Sequence, residues 1–138
     1  MNIEADLATF SSWASAQPDI EGIAIVGSYA RATASESSDI DLMILSTDCP
    51  RYLTNVDWLS LFGTVKHYTR ETWGRVQTLR AVYSNGIEVE YNFCDPSWAA
   101  IPVDEGTHRV ANDGLKILFD RKGKFAALQR AVSSDMSK

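Results

Sequence analysis

The spacing of apolar residues predicts a helix at each end of the chain. Near the start, apolar residues recur every three or four positions, which is the spacing of one helix face and predicts a helix over residues 3–16. The same spacing returns near the end, where it predicts a closing helix. The apolar positions concerned are Ile3, Leu7, Phe10 and Ala14 in the first helix, and Phe125, Leu128 and Val132 in the second.

Between these helices, short apolar or alternating segments predict strands. The segments 75–83 and 87–93 flank Ser84-Asn85-Gly86, which predicts an antiparallel hairpin because Asn-Gly favours a tight turn. This mixture predicts an α/β (α+β) fold, with a mixed central sheet and helices packed on it. The other predicted strands are residues 23–26, 39–45, 64–69 and 115–119. Shorter helices are predicted over residues 29–34, 54–62 and 104–111. A turn is predicted over residues 49–52 and a loop over residues 95–102.

Length and charge narrow the class of protein. With 138 residues the chain is predicted to form one domain, 1–138, whose residues 133–138 are a flexible tail. No apolar run approaches the ~20 residues of a membrane span, and the acidic start does not resemble a signal peptide, so we expect a cytoplasmic protein without a membrane partner. The net charge of −5 and the lack of a basic run argue against a general nucleic-acid-binding surface.

Two aspartates at the start of the second predicted strand are the first candidate chemistry. Asp39 and Asp41 share one face of that strand, about 7 Å apart at their Cα atoms, because alternate side chains point the same way. The same face continues with the apolar Met43 and Leu45, so the acids border a buried region. Paired acids in such a place need a cation, and hard divalent ions such as Mg²⁺ favour carboxylate oxygens.

A glycine-serine turn precedes these acids. Gly27 and Ser28 directly follow the predicted strand 23–26, where glycine permits a sharp turn. The Ser28 hydroxyl and the backbone N–H groups at the start of the next predicted helix form an arrangement that binds phosphate. The order of strand, Gly-Ser turn, helix start and acid pair therefore predicts phosphate donors beside a metal site.

The spacing of these residues resembles that of a known family. Gly27-Ser28, ten further residues and then Asp39-Ile40-Asp41 match the GS-x10-DxD signature of the polymerase-beta-type nucleotidyltransferase superfamily. The chain looks most like the minimal and antibiotic-type members, over a core of about residues 20–95. One position departs from the usual pattern, since Ala32 stands where many relatives have glycine. The resemblance implies the nucleotidyltransferase fold and a Mg²⁺-dependent transfer reaction.

The same resemblance implies roles for particular residues. Asp39 and Asp41 would hold two Mg²⁺ ions, with Gly27 and Ser28 steadying the triphosphate. Arg31 lies one predicted helical turn past Ser28, where it could reach the phosphates or brace Asp39, and a surface arginine on a short helix is the alternative. Weaker candidates for balancing the phosphate charge are Lys66, Arg75 and Arg80.

The family also implies a third carboxylate on a neighbouring strand, and the segment 87–93 offers two candidates. Glu88 and Glu90 share one face of this predicted strand. We favour Glu90 as metal ligand or base because it lies deeper in the strand, between Val89 and Tyr91, whereas Glu88 adjoins the turn. The choice between them stays open at this point, and a glutamate is a mild departure from the family's more usual aspartate.

Two functions follow from the resemblance. The first is an enzyme, a nucleotidyltransferase that moves a nucleoside monophosphate, with AMP from ATP favoured, onto an unknown hydroxyl acceptor and releases pyrophosphate. The alternative is an antitoxin-like minimal nucleotidyltransferase that binds or adenylylates a helical partner protein, a toxin of the HEPN type. In either case a second copy of the chain or a helical partner is expected to complete an open cleft.

Overall fold

The six strands follow the predicted order along the chain. The computed structural model describes residues 3–26, 40–73, 75–84, 86–99 and 115–136. The helices are α1 (Ile3–Ser15), α2 (Cys49–Thr54) and α3 (Lys124–Met136), with two 3-10 helices at Asp57–Phe62 and Pro96–Ala99. None of these described helices combines the length and apolarity needed to cross a bilayer. The strands are β1 (Ile20–Val26), β2 (Ile40–Ser46), β3 (Val65–Trp73), β4 (Val76–Tyr83), β5 (Glu88–Cys94) and β6 (Leu115–Asp120).

One six-stranded sheet joins these strands in the order β3-β4-β5-β2-β1-β6. Every neighbouring pair is antiparallel except β2 and β5, which run parallel. The parallel pair brings Asp41 opposite Glu90 and Ile44 opposite Phe93. The mixed sheet with helices packed on it confirms the predicted α+β fold, and it places two of the candidate acids on adjacent strands.

Apolar side chains cover both faces of β2. On one face, every second residue from Ile40 to Ile44 packs with α1 in an aromatic-rich cluster, here called the α1 core. On the other face, Met43 and Leu45 pack with α3 in a second cluster, the α3 core. Because side chains alternate along a strand, Asp41 lies on the α3 side of the sheet. The three residues that predict the closing helix are all buried in the α3 core: Phe125, Leu128 and Val132.

Two segments predicted to be irregular form short helices instead. The turn predicted over residues 49–52 is wrong, because these residues begin α2. Pro50 lies in the first turn of α2. The N–H groups of a first turn have no partner within the helix, so proline, which lacks an N–H, is well suited to this position. Within the loop predicted over residues 95–102, Pro96–Ala99 form a 3-10 helix. At the end of the chain, α3 includes residues 133–136, which the sequence assigns to the tail.

The predicted hairpin is confirmed. β4 and β5 pair antiparallel around residues 84–86, and Gly86 has a φ of 88°, a conformation that favours glycine. Gly63, with a φ of 136°, ends the 3-10 helix that occupies most of a segment predicted to be helical. The helices predicted over residues 29–34 and 104–111 lie outside the described residues.

A partly buried carboxylate ties the turn after α1 to β2 and α2. Asp19 accepts hydrogen bonds from the Ser46 hydroxyl at 2.8 Å and the Tyr52 hydroxyl at 2.9 Å, and it pairs with Arg51 at 2.8 Å. Burial alone would raise the pKa of Asp19, but these hydrogen bonds and the charge of Arg51 outweigh it, and the pKa is lowered. The folded state therefore stabilises the charged carboxylate.

We expect Asp19→Asn to lower the free energy of unfolding by about 1–3 kcal/mol at neutral pH, because charge-assisted hydrogen bonds contribute on that order. Since the folded-state pKa lies below its ordinary value, this contribution is complete above about pH 5 and is lost as the pH falls through the folded pKa. Urea unfolding between neutral and acidic pH checks the expectation. The wild-type advantage should shrink on acidification, and an advantage that is constant with pH would contradict it. Asp57→Asn, at an exposed carboxylate, is the control.

Candidate active site

Two acids on neighbouring strands form the centre of the candidate site. Asp41 on β2 and Glu90 on β5 are direct partners in the parallel register. Their strand neighbours Ile40, Val89 and Tyr91 are fully buried in the α1 core, so both acids point to the α3 side of the sheet. Neighbouring strands lie ~4.8 Å apart, which is close enough for one cation to contact both carboxylates.

Asp41 lies at the border between the site and the α3 core. Its Oδ1 atom is shielded from solvent, and the next residue on its face, Met43, is buried. On the other side of β2, Val26 of β1 lies opposite Asp41. A carboxylate at such a border costs free energy unless positive charge or donors stabilise it. A bound cation would stabilise the Asp41 carboxylate in this position.

An arginine from β4 brings positive charge to the acids. Arg80 lies opposite Glu90 in the antiparallel register, and its Nη1 atom is 2.6 Å from Glu90 Oε1. The same guanidinium is 3.5 Å from a carboxylate oxygen of Glu88 and 3.5 Å from one of Glu71. Burial alone would lower the pKa of Arg80, but the three carboxylates, Glu90 foremost, raise it. One permanently charged guanidinium is therefore shared among three acids.

A chain of hydrogen bonds links three strands beside the acid pair. Asn92 donates from Nδ2 to the Leu42 carbonyl at 2.9 Å, and its Oδ1 accepts from the Thr78 hydroxyl at 2.6 Å. Asn92 lies two residues after Glu90, and Leu42 directly follows Asp41. The bonds therefore tie β4, β5 and β2 together next to the carboxylates and restrict how far the two acids can move apart.

The donors and charges of the site suit a divalent cation. Glu71, Glu88 and Glu90 share the Arg80 guanidinium, and Asp41 adds a fourth negative charge beside Glu90. Carboxylate oxygens are the ligands that Mg²⁺ prefers, so the residues present fit the metal that the resemblance implies. Among the described residues, no group of three His, Cys, Asp or Glu side chains forms a complete metal site.

Four residues that the sequence singles out lie outside the described part of the chain: Gly27, Ser28, Arg31 and Asp39. They belong to the segment that joins Val26 to Ile40. Val26 lies opposite Asp41, and Ile40 directly precedes it. Both ends of that segment are therefore next to the acid pair.

The pairing of β2 with β5 distinguishes Glu90 from Glu88, the two candidates that the sequence leaves open. Glu90 lies directly opposite Asp41, whereas Glu88 lies beyond the last described pair of the two strands, Ile40 and Val89. Both glutamates are on the α3 side of the sheet, because the residues that alternate with them are buried in the α1 core. The geometry therefore favours Glu90 as the partner of Asp41.

Three residues have a more specific place in the site than the sequence indicates. From the sequence, Arg80 is a weak candidate for balancing phosphate charge, and neither Asn92 nor Glu71 is a candidate. Asn92 alternates with the two glutamates, and this pattern is a signal for its place on their face. Glu71 carries no such signal, because the predicted strand ends at residue 69 whereas β3 continues to Trp73.

A comparison with known families identifies the segment around Asp41. Residues 9–71 match the family model described as polymerase beta, nucleotidyltransferase. The match covers less than half of the chain and shows a likeness of this segment to polymerase-beta-type nucleotidyltransferases. The matched segment includes β1, β2 and Asp41, while Arg80 and Glu90 lie beyond its end.

A solved structure shares the fold of this chain. An aminoglycoside 6-adenyltransferase from Bacillus subtilis aligns with 72% of this chain and 37% of its own, at a TM-score of 0.55 and 16% identity. A nucleotidyltransferase-like protein from Exiguobacterium sibiricum aligns with 94% of this chain and 38% of its own, at a TM-score of 0.47 and 16% identity. The chain thus spans little more than a third of either structure. None of the curated proteins compared with it gives a match.

Proposed function

We propose that this chain is an enzyme that transfers a nucleoside monophosphate from a nucleoside triphosphate to a hydroxyl acceptor, with Mg²⁺ as cofactor. AMP from ATP is the favoured donor group, and pyrophosphate is the second product. The observation that carries the proposal is the position of Glu90 directly beside Asp41, on a strand next to the segment that matches the nucleotidyltransferase family.

Three carboxylates are proposed to hold the metal. Asp41 and Glu90 are adjacent in the sheet, and Asp39 lies two residues before Asp41 in the sequence. When bound, a pair of Mg²⁺ ions neutralises phosphate charge and lowers the pKa of the acceptor hydroxyl. The protein contributes fixed carboxylates, and the hydrogen bonds of Asn92 to β2 and β4 keep the strands that carry them in register.

The Gly-Ser turn is proposed to bind the phosphate groups. Gly27 and Ser28 directly follow Val26, whose cross-strand partner is Asp41. Backbone N–H groups and the Ser28 hydroxyl in this segment would donate hydrogen bonds to phosphate oxygens next to the metal ligands. Arg31 would add a positive charge to the same group of donors.

The proposed reaction replaces one phosphorus–oxygen bond by another. The acceptor oxygen bonds to the α-phosphorus, the bond from that phosphorus to the bridging oxygen of the β-phosphate breaks, and the acceptor proton leaves. Glu90 would act as a metal ligand or as the base that takes this proton. Most of the acceleration would come from positioning and charge neutralisation, since the protein forms no covalent bond to the substrate.

The acceptor is proposed only as a class. The name of the Bacillus subtilis protein refers to an aminoglycoside, which makes a hydroxyl on such a small molecule one candidate. A hydroxyl on a protein side chain is the other, and an antitoxin-like member that adenylylates a helical partner would use the same nucleotide site. A screen of both acceptor classes with labelled ATP distinguishes them.

Calorimetry of ATP binding, with and without Mg²⁺, tests the proposal. The wild-type chain should bind ATP in the presence of Mg²⁺ and bind it much more weakly without the metal, because the acids of the site repel the triphosphate. GTP, CTP and UTP serve as comparisons of base preference. Failure to bind any of the four nucleotides with Mg²⁺ present would overturn the proposal.

The two glutamates of β5 provide a matched pair of variants for this assay. We expect Glu90→Gln to weaken Mg²⁺-dependent ATP binding about tenfold or more, because it removes a charge directly beside Asp41. Glu88→Gln makes the same chemical change on the same strand and face, and we expect an effect below about threefold. Equal effects, or a larger effect of Glu88→Gln, would show that Glu90 is not the third carboxylate.

A further inference from the structure

The carboxylate proposed as a metal ligand is also the nearest partner of an arginine. Arg80 Nη1 lies 2.6 Å from Glu90 Oε1, closer than the 3.5 Å that separates the guanidinium from Glu88 and from Glu71. A contact of this length is a charge-assisted hydrogen bond, which is stronger than one between neutral groups. Since a guanidinium and a divalent ion repel each other, a metal ion bound at Glu90 would oppose Arg80.

We propose that Arg80 leaves Glu90 when the metal ion binds and then binds the phosphate groups of the nucleotide. In this role Arg80 couples metal binding to nucleotide binding. It holds Glu90 in place before the metal arrives and supplies positive charge to the substrate afterwards. Both the anion and the metal at Glu90 rest on the proposed function, but Mn²⁺ binding is measured without nucleotide and so tests the metal site separately.

Several features of Arg80 suit it to this exchange. Its side chain is 32% exposed, so the guanidinium is accessible to a ligand from solvent. Its Nε atom is buried and has no hydrogen-bond partner within the described part of the chain, so this N–H does not hold the guanidinium in its present position. Glu71 on β3 lies on the far side of β4 from Glu90 and would keep the released guanidinium inside the site. The planar fork of arginine matches two oxygens of a phosphate group.

Binding of Mn²⁺ in the absence of nucleotide, measured by calorimetry, is the first experiment. Arg80→Met should bind Mn²⁺ about three- to tenfold more tightly than the wild type, because the opposing cation is gone. At saturating Mn²⁺, the same variant should bind ATP about tenfold more weakly, because a phosphate ligand is lost. Arg70→Met is the matched control and should change neither affinity. Arg70 lies on β3 opposite Leu79 of the α1 core, and therefore on the other face of the sheet.

Two further variants separate this role from a structural one. Arg80→Lys keeps the positive charge but loses the planar guanidinium. Its affinities for Mn²⁺ and for ATP should therefore each lie between those of the wild type and those of Arg80→Met. In the double variant Arg80→Met/Glu90→Gln, the gain in Mn²⁺ affinity should disappear, because the gain acts through the Glu90 carboxylate. Circular dichroism melting identifies any variant that has lost the fold, and Arg80→Lys keeps the test decisive if Arg80→Met unfolds.

Tighter Mn²⁺ binding together with weaker ATP binding by Arg80→Met would support the exchange. Unchanged or weaker Mn²⁺ binding would overturn it and make Arg80 a brace for the three glutamates. Tighter Mn²⁺ binding with unchanged ATP binding would overturn the phosphate contact. If the wild type binds Mn²⁺ but no nucleoside triphosphate, the proposed function fails, and the Mn²⁺ affinities still decide whether Arg80 opposes the metal at Glu90.

Discussion

Replacement of Asp41 by asparagine is expected to weaken Mg²⁺-dependent ATP binding by about 100-fold or more. Asparagine keeps the shape of the side chain and one carbonyl oxygen, but it removes the negative charge that a hard cation requires. Loss of a group that only orients a metal ligand typically costs about 10–100-fold in affinity, so loss of a ligand itself should reach at least the upper end. The Oδ1 atom of Asp41 is shielded from solvent, which strengthens its attraction for a cation.

The fold should survive this change, which makes the binding result interpretable. Asp41→Asn removes one of two adjacent negative charges, so the repulsion between Asp41 and Glu90 decreases and the melting temperature should not fall because of charge. Calorimetry with ATP at saturating Mg²⁺ measures the effect, and Asp57→Asn, an exposed carboxylate outside the site, is the control. The double variant Asp39→Asn/Asp41→Asn should show no binding that depends on Mg²⁺. ATP binding by Asp41→Asn within about threefold of wild type would remove Asp41 from the metal site.

The alternation of residues in β2 predicts its two faces but not its neighbours in the sheet. A period of two groups Asp41 with Met43 and Leu45, and the structure confirms that the latter two lie in the α3 core. The parallel pairing with β5 depends on contacts between residues far apart in the sequence, which a local pattern does not encode. The position of Glu90 directly beside Asp41 therefore required the structure.

The place of Arg80 depends on a single residue in the hairpin loop. A two-residue loop of Asn85 and Gly86 would put Ala81 opposite Glu90. In the structure a hydrogen bond runs from Tyr83 N to the Ile87 carbonyl, and Arg80 lies opposite Glu90 instead. A shift of one residue moves every side chain of a strand to the other face. The sequence predicts the hairpin, but the pairing of Arg80 with Glu90 rests on a loop length that the Asn-Gly signal does not determine.

Phe10→Ala should lower the free energy of unfolding by about 3–5 kcal/mol, the usual range for truncating a fully buried phenylalanine. Phe10 is 0% exposed, and its ring centroid lies 5.5 Å from that of Tyr91 on β5. It also lies 5.8 Å from the ring of Trp13 and 6.1 Å from that of Trp58. Large rigid rings move little to fill a cavity, so most of the lost contacts stay lost. Domains of this size are stable by only about 5–15 kcal/mol, so the loss is a large part of the total.

Urea unfolding followed by tryptophan fluorescence measures this loss, because Trp13 and Trp58 report on the same cluster. Ser12→Ala, at an exposed position of the same helix, is the control and should change stability by less than about 0.5 kcal/mol. Tyr91 directly follows Glu90 but faces the α1 core, so the cavity forms on the side of β5 away from the acids. Well below its melting temperature, Phe10→Ala should therefore bind ATP within about threefold of wild type. A stability loss below about 1 kcal/mol would mean that α1 does not pack on β5 through Phe10.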